Sequence, residues 1–303
     1  MSNTLTTLSA DMVQDEVLPA LKLGLTPLNA MALKVAEEPA VVGDTILVPL
    51  MAARTATTYS TTFADATGNT LTSASITWSA AKMASWYVNP QTEAIPTAER
   101  FLASGREAAY AVAASCVQEA LVNFADANLG TTAADESTIT AANYDVDDQI
   151  DMWKLLKDKK VNGPISAIHD IAYAAALMKD NALQDRSASG SDVLMTGELP
   201  PIMGMRQFYT DQFPTLIGTT QHVGVIFTGP TTVAVALGTP VVTVTGEEAA
   251  AGVRSFRVVD PDTGISMIWR QWMAADTGVY WGSVYVMCNS AFAQDAAVRI
   301  VSA

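Results

Sequence analysis

Positive charge is scarce in this chain. Its 303 residues contain 17 Lys and Arg against 31 Asp and Glu, which gives a formal net charge of −14. Proteins that hold nucleic acid tightly neutralise phosphates with Lys and Arg, so this balance excludes a protein that grips a phosphate backbone. The excess of carboxylates instead predicts good solubility and mutual repulsion between copies.

Cysteine and histidine are also rare. Cys116 and Cys288 are too few for a disulfide framework, and both are interpreted as small buried apolar residues. His169 and His222 are the only imidazoles, and we expect an exposed first turn of a helix for the former and the flank of a buried strand for the latter. Phosphate-binding glycine loops, dinucleotide fingerprints, nucleophile elbows, Cys-x-x-Cys and His-Glu-x-x-His are all missing. We therefore predict no catalytic residue, no metal ligand and no cofactor site.

The start of the chain has no basic region followed by an apolar run, so no secretion signal is expected.

Two groups of aspartates leave a choice of interpretation. The first group consists of Asp145, Asp147, Asp148 and Asp151. These carboxylates could hold a cation, but they lack the glycine and the final glutamate of a calcium loop, and a solvated helix start explains them better. Asp260 and Asp262 could serve a carboxylate-dependent hydrolase, although the sequence Asp-Pro-Asp-x-Gly is typical of an ordinary turn.

The 13 methionines and six tryptophans could line a ligand pocket, but we expect them in the core and at subunit contacts.

The longest regular segment, Pro96 to Gly130, is predicted to be one helix. Ala, Leu, Glu and Arg dominate it, and Gly105 is its one weak interior residue. Pro96 suits a first helical turn, and Gly130 stands where a C-terminal cap would be. About 30 residues give a rod of roughly 45 Å. Polar residues follow one stripe and apolar residues occupy the rest, which predicts a half-buried strut, and the charges exclude a membrane span.

Thin extensions are predicted ahead of this helix. Leu8 to Leu23 could form a short helix, but Pro19 weakens it, and we interpret residues 1–42 as an extended arm that needs a partner surface. Asp44 to Met51 is predicted to be a strand, and the alternation from Ser73 to Val88 predicts a second one. With the polar segment between them, they would form a hairpin of some 45 residues. Because isolated two-stranded ribbons are marginal in water, this hairpin is expected to pack on another subunit.

Helices and strands are mixed in the rest of the chain. The predicted helices are Asp147–Val161 and Ser166–Lys179, followed by a flexible Ser/Gly loop at residues 187–191. The very apolar run from Val223 to Val244 is broken by Gly-Pro and Gly-Thr-Pro, and it predicts short buried strands with one helical turn around Val233–Leu237. Further strands are predicted at Ser255–Val259, Ile265–Met273, Val279–Met287 and Ala297–Val301. Together these elements predict an α+β architecture.

The order of these elements resembles the major capsid protein of tailed bacteriophages, which has the HK97-like fold. The stretches that carry the resemblance are the strand ending at Val88 that leads into Pro96–Arg100, the helices interrupted at Asn162–Pro164, the strand Gly224–Phe227 before Thr231–Leu237, and the ending Ala297–Ile300. The resemblance implies five regions: an N-terminal arm (1–43), an extended loop (44–92), a peripheral domain with a spine helix (93–144), an axial domain (145–250) and a closing β section (251–303).

The resemblance implies a structural protein and not an enzyme. Such a coat subunit forms pentamers and hexamers with copies of itself, and these close an icosahedral shell around double-stranded DNA without sequence-specific binding. The implied location is the virion, after synthesis in the bacterial host cytoplasm. Scaffolding, portal and decoration proteins are further implied partners, and neither a membrane nor a cofactor is implied. Residues 1–42 are too short for a fused scaffolding domain.

Lys82 is the one lysine that the predicted hairpin contains. Some members of the family cross-link a lysine of the extended loop to an asparagine of a neighbour, but Lys82 gives no basis for carrying that chemistry over. Two other functions stay open at this point. An encapsulin-like bacterial compartment shares the fold and encloses enzyme cargo, and an acidic hydrolase would use Asp260 and Asp262.

Overall fold

The computed structural model describes residues 8–36, 40–50, 72–89, 98–130, 132–161, 163–184, 199–214, 222–241, 252–274 and 276–302. The α-helices in these segments are α1 (Ala10–Glu16), α2 (Leu18–Gly24), α3 (Ala98–Leu121), α4 (Asp126–Leu129), α5 (Val146–Asp158), α6 (Ile171–Lys179), α7 (Asn181–Gln184) and α8 (Gly229–Thr232). The strands are β1 (Ala32–Val35), β2 (Thr45–Leu50), β3 (Thr72–Thr77), β4 (Lys82–Val88), β5 (Glu136–Thr138), β6 (Ile165–Asp170), β7 (Arg206–Thr210), β8 (Val223–Thr228), β9 (Val233–Gly238), β10 (Arg254–Val259), β11 (Ser266–Met273), β12 (Tyr280–Phe292) and β13 (Ala297–Val301).

The strands form three sheets. The large sheet has the order β1-β9-β12-β11-β10, and β4 also pairs with β12. The small sheet has the order β5-β13-β8-β6-β7, and β2 pairs with β3 alone. The long strand β12 holds the large sheet together, because residues 280–286 pair with β4 while residues 287–292 pair with β9. This mixture of helices and sheets confirms the predicted α+β class.

Helix α3 packs its apolar side on the large sheet through an aromatic cluster. The ring centroids of Trp86, Phe101 and Trp269 lie 4.9 to 5.9 Å from one another. Gly105 lies directly under these rings, since a Cβ added there would stand 2.6 Å from the Trp269 ring. The Trp269 indole therefore occupies the space that a side chain at position 105 would fill. Gly105 is required by this packing and is not a weak point of the helix.

The predicted helix of about 30 residues is interrupted before Gly130. Helix α3 spans 24 residues up to Leu121, and the chain turns to an extended conformation at Ala125, with φ −72° and ψ 161°. The carbonyl oxygen of Phe124 accepts a hydrogen bond from Arg299 Nη1 at 3.0 Å, which removes it from the helical ladder. Helix α4 then adds one turn, which Gly130 ends with a φ of 82°. Pro96 lies outside the described residues.

The interpretation of an extended arm is wrong for residues 8–35. Helices α1 and α2 fold back on α3, and Val13, Val17 and Leu21 are fully buried there. Pro19 stands in the first turn of α2, where its missing N–H is harmless, so it begins a second helix and does not weaken one long helix. This region therefore buries most of its apolar residues on its own chain, while Met12 and Leu23 stay exposed.

The predicted hairpin is confirmed only in its first part. Strands β2 and β3 are antiparallel, and Ala74, Ile76 and Trp78 are buried as the alternation predicts. The predicted continuation of the strand to Val88 is wrong, because β4 leaves the hairpin and pairs with β12. The Asn289 side chain fixes the crossing point, since its Oδ1 accepts from the Ser79 N–H and hydroxyl, each at 3.1 Å.

The base of the hairpin also packs on its own chain. The buried side chains of β3 lie against Ala234, Ala236 and Met287 of the large sheet. The expectation that the whole hairpin needs another subunit is therefore wrong for its base. The segment 51–71, predicted to form the tip, lies outside the described residues, as does the Ser/Gly loop at 187–191.

The small sheet contains two further departures from the predicted elements. Residues 166–170 form strand β6 and not the start of a helix, because β6 lies between β7 and β8 with both faces covered. The predicted helical turn lies at Gly229–Thr232, and residues 233–238 form β9 instead. Helix α5 and strands β10, β11 and β13 follow the prediction closely, whereas β12 continues past its predicted end at Met287 to Phe292.

Arg299 is completely buried in β13 and joins three segments. Its guanidinium forms ion pairs with Asp126 of α4 and Glu136 of β5, besides the bond to Phe124. A buried cation that loses its partners is strongly destabilising. This cluster therefore fixes the end of α3 against the small sheet.

We predict that Arg299→Met lowers the free energy of unfolding by about 3–5 kcal/mol, since it leaves Asp126 and Glu136 without their buried cation. Urea unfolding of the unassembled chain measures this loss. The control is Arg106→Met, because Arg106 pairs with Glu16 at 3.3 Å on the surface. That variant should lose less than about 1 kcal/mol. Equal losses for both variants would contradict a special role for the buried cation.

We also predict that Gly105→Ala destabilises the chain, although Gly→Ala in an open helix usually stabilises by about 1 kcal/mol. The new methyl group would press on the Trp269 ring, and such overpacking costs about 1–3 kcal/mol. Urea unfolding measures the change, with the neighbouring Ser104→Ala as control. A gain in stability for Gly105→Ala would show that the ring moves aside freely.

Candidate assembly surfaces

His169 lies inside the small sheet and not in an exposed helical turn as predicted. Its ring is fully buried in β6, with Nε2 2.8 Å from Gln149 Nε2 and 3.2 Å from Gln207 Oε1. The Tyr144 ring packs beside it at 5.6 Å between centroids. Burial lowers the pKa of His169 to about 4, because a charged imidazole would lose its hydration. A neutral, sealed imidazole of this kind is part of the core.

His222 flanks strand β8, as predicted. Its Nδ1 lies 2.7 Å from Asp170 Oδ2, and its backbone N–H donates to Ser302 Oγ at 2.9 Å. Asp170 also accepts from the Ala172 N–H at the start of α6. The pair therefore ties the end of β6 to the start of β8 and to the end of the chain.

The first aspartate group is a helix start, which confirms the preferred interpretation. The Asp145 and Asp148 side chains accept from each other's backbone N–H at 3.0 and 3.2 Å, a reciprocal capping box. Burial raises the pKa of Asp148. Across the segments that the structure describes, no three His, Cys, Asp or Glu side chains are grouped to hold a metal ion.

Asp260 and Asp262 do not form the carboxylate pair that a hydrolase would need. Asp260 is buried in the turn after β10, where it accepts from Thr263 and pairs with Lys22 Nζ at 3.0 Å. The hydrogen bond from the Thr263 hydroxyl lowers the pKa of Asp260. Asp262 is exposed on the same turn. The buried carboxylate therefore anchors α2 to the turn.

Lys82 and the two cysteines are also engaged within the chain. Lys82 Nζ lies 2.9 Å from Glu119 Oε2 on α3, and this bond raises the pKa of Lys82. Cys116 and Cys288 are both buried, as predicted, and the Cys288 thiol donates to the Cys116 carbonyl oxygen. The contact with Cys116, together with burial, raises the pKa of Cys288. None of the described helices combines the length and apolarity that a membrane crossing requires.

The strongest candidate for contact with another molecule is the outer side of the large sheet. Tyr87, Trp281 and Trp272 form one row there, because the strand register places Tyr87 beside Trp281 and Trp281 beside Trp272. The Tyr87 and Trp281 ring centroids are 5.2 Å apart, and the two indoles are nearly parallel at 6.1 Å. We call Met83, Tyr87, Trp272 and Trp281 the aromatic face.

The aromatic face is open to solvent. Tyr87 is 59% exposed and Met83 is 56% exposed, and the two tryptophans are half-buried. Exposed apolar patches with large aromatic rings mark protein contacts. The sequence pattern assigns the tryptophans to core or subunit contacts in general and does not predict this group, whose members come from β4 and, far along the chain, from the consecutive strands β11 and β12. The hairpin adds Leu47 of β2, which is 62% exposed on the side away from the large sheet.

We predict that the buried His169 makes the folded chain sensitive to acid. Its folded pKa of about 4 lies below the usual value near 6.5, so its neutral form stabilises the fold above pH 6.5. This contribution is lost as the pH falls from 6.5 through 4, to a limit of roughly 3 kcal/mol. In His169→Gln the loss of unfolding free energy between pH 7 and pH 4 should shrink by that order, measured by urea unfolding at each pH. His222→Gln controls for the removal of an imidazole, and an unchanged pH profile for His169→Gln would contradict the prediction.

Solved capsid structures share this architecture. The capsid of cyanophage P-SCSP1u is 10% identical to this chain with a TM-score of 0.55, and the match covers 90% of this chain and 86% of that one. The capsid of Ralstonia phage GP4 is 10% identical with a TM-score of 0.53, over 90% of this chain and 86% of that one. The encapsulin of the holo-SrpI complex from Synechococcus elongatus PCC 7942 is 11% identical with a TM-score of 0.50, over 91% and 86%.

These matches are visible only in three dimensions. Neither protein-family models nor curated proteins give a match to the sequence. The structural matches nevertheless span about nine tenths of the chain. Over that length, the chain has the HK97-like fold that phage capsid proteins and encapsulins share.

Proposed function

We propose that this chain is the major capsid subunit of a tailed bacteriophage. The observation that carries the proposal is the extent of the fold similarity, which covers 90% of this chain and 86% of the cyanophage capsid subunit. The match therefore extends over most of both chains. The matching structures described above are two phage capsids and an encapsulin.

The surfaces of the chain support assembly. The aromatic face and the outer side of the hairpin expose large apolar side chains to water. Such exposure does not stabilise an isolated monomer, and it marks surfaces that contact other proteins. Copies of one chain that bury such surfaces on each other gain stability and form closed symmetric assemblies. The aromatic face thus supports contact between copies.

The proposal extends to the organisation of the shell. Copies of the chain form pentamers and hexamers, and these close an icosahedral shell around double-stranded DNA in the virion, after synthesis in the bacterial host cytoplasm. The division into residues 1–43, 44–92, 93–144, 145–250 and 251–303 stays part of this proposal, as do scaffolding, portal and decoration proteins as partners. The net charge of −14 supports an enclosure of DNA without tight or sequence-specific binding.

An encapsulin-like compartment is the second candidate. It is favoured by the match to the Synechococcus encapsulin, whose TM-score of 0.50 is close to those of the phage capsids. The two functions differ in what the particle holds. Nuclease-protected DNA inside purified particles supports the phage capsid, and a co-purified enzyme inside them supports the compartment.

We predict that the purified chain forms rings of five and six or closed particles tens of nanometres across, seen by negative-stain electron microscopy and sedimentation. The double variant Tyr87→Ser with Trp281→Ser should lower the particle yield roughly tenfold or more, because buried aromatic anchors dominate protein contacts. Tyr110→Ser is the matched control, since Tyr110 is an exposed aromatic residue on α3.

Circular dichroism shows whether each variant is folded. A chain that stays monomeric over all protein and salt concentrations contradicts assembly by this chain alone, and one that stays monomeric in the presence of a scaffolding protein as well contradicts the shell proposal. Full particle yield from the folded Tyr87→Ser, Trp281→Ser variant would contradict the role of the aromatic face while leaving the shell in place.

A further inference from the structure

Half of the lysines of this acidic chain lie in one short stretch. Lys154, Lys157, Lys159 and Lys160 are four of eight lysines, and residues 154–160 carry a net charge of +3. Lys159 Nζ forms ion pairs with Asp135 Oδ1 at 2.7 Å and with Asp295 Oδ1 at 2.8 Å. Lys154 and Lys160 are exposed, and no ion pair joins either of them to a carboxylate of the described segments. We call residues 154–160 the basic end of α5.

The other end of the same helix is acidic. Residues 145–151 carry a net charge of −4. Asp145 and Asp148 are used by the capping box, whereas Asp147 and Asp151 are exposed, and neither forms an ion pair in the part of the chain that the structure describes. Asp147, Asp151 and Lys154 follow one another at spacings of four and three, so they share one stripe of the helix. The exposed stripe of α5 therefore passes from negative to positive along its length.

The helix dipole explains only part of this arrangement. It favours carboxylates in the first turn and cations in the last turn, and its effect falls off within one turn of each end. Asp151 lies beyond the first turn, and the capping box already serves the backbone N–H groups there. The number of exposed charges thus exceeds what the helix itself needs.

Two partners could meet the basic end: phosphates of the enclosed DNA, or an acidic surface of another copy. Copies with a net charge of −14 repel one another, so a contact between them is favoured where a basic patch meets an acidic one. In a ring, each contact is heterologous and joins two different patches of neighbouring copies. The two ends of α5 are such a complementary pair.

We propose that in each ring the basic end of α5, through Lys154 and Lys160, contacts Asp147 and Asp151 of the neighbouring copy. This inference rests on the proposed function, since it requires rings of copies. Single exposed ion pairs are weak, but the contact recurs between every two neighbours, and reversal of one end turns each attraction into a repulsion. The contact sets the head-to-tail direction of the ring.

The test compares three charge variants of the full chain. The first is Lys154→Glu with Lys160→Glu, the second is Asp147→Lys with Asp151→Lys, and the third combines all four changes. Each of the first two should lower the yield of rings and shells about tenfold or more, measured by sedimentation and negative-stain microscopy. The combined variant should restore the yield, because its two ends are again complementary between copies.

Urea unfolding of the unassembled variants separates the contact from the stability of the helix. The combined variant opposes the helix dipole at both ends but restores an opposite-charge pair at positions 151 and 154, so the yields must differ from the order of the unfolding free energies if the contact between copies decides assembly. Lys34→Glu with Arg106→Glu controls for net charge, since it makes the same change as the first variant at exposed positions away from α5. This control should assemble at the wild-type yield.

Each other outcome overturns a defined part of the argument. If the wild-type chain forms no rings or shells, the proposed function fails and this inference falls with it. If the wild type assembles and the first two variants assemble equally well, the inference alone is wrong. A combined variant that stays unassembled overturns it too. Shells of the first variant at full yield but with less retained DNA would assign the basic end to phosphates instead.

Discussion

The buried charge of Arg299 constrains the rest of the structure. A guanidinium with no access to water must keep its carboxylate and carbonyl partners, because an unpaired buried charge costs far more than its ion pairs return. Its partners come from Phe124, Asp126 and Glu136, so the end of α3, the turn of α4 and strand β5 all have to meet at β13. Helix α3 is held at its other end by the Trp86 and Trp269 rings of the large sheet. One helix thus spans both sheets and fixes their relation.

Local rules predicted the elements whose causes are local. The alternation in β3, the aspartate-rich start of α5 and helix α3 up to Leu121 each follow from residues close together in the chain. The interruption after Leu121 does not, because Arg299 takes the Phe124 carbonyl from a distance of 175 residues in sequence. Strand β6 is covered on both faces, so its apolar run has no period that separates a strand from a helix. Pro19 was assigned to a helix interior when it begins a second helix, where proline is favoured.

The candidate surfaces could be predicted far less well than the fold. The aromatic face exists because three strands align Tyr87, Trp272 and Trp281 in one row, and strand register between distant segments is absent from any local pattern. The residues that did suggest chemistry have structural roles instead. His169 is sealed in a core, and Asp260 anchors α2 through Lys22. Polar residue types alone do not separate a reactive group from a well-partnered one, since burial and partners decide between them.

The scarcity of positive charge shapes how such a chain could associate. Several of its 17 Lys and Arg residues form ion pairs within the fold, namely Arg299, Lys159, Lys82 and Lys22. The surplus of carboxylates then lies on the surface, and every approach of two copies meets a repulsion that salt screens over about 8–10 Å. Contact between copies must therefore come mainly from apolar surface, which the aromatic face supplies, and this attraction is insensitive to orientation. The few unpaired lysines are too few to drive association, but their concentration at one end of α5 is enough to select one orientation among those that the apolar surface permits.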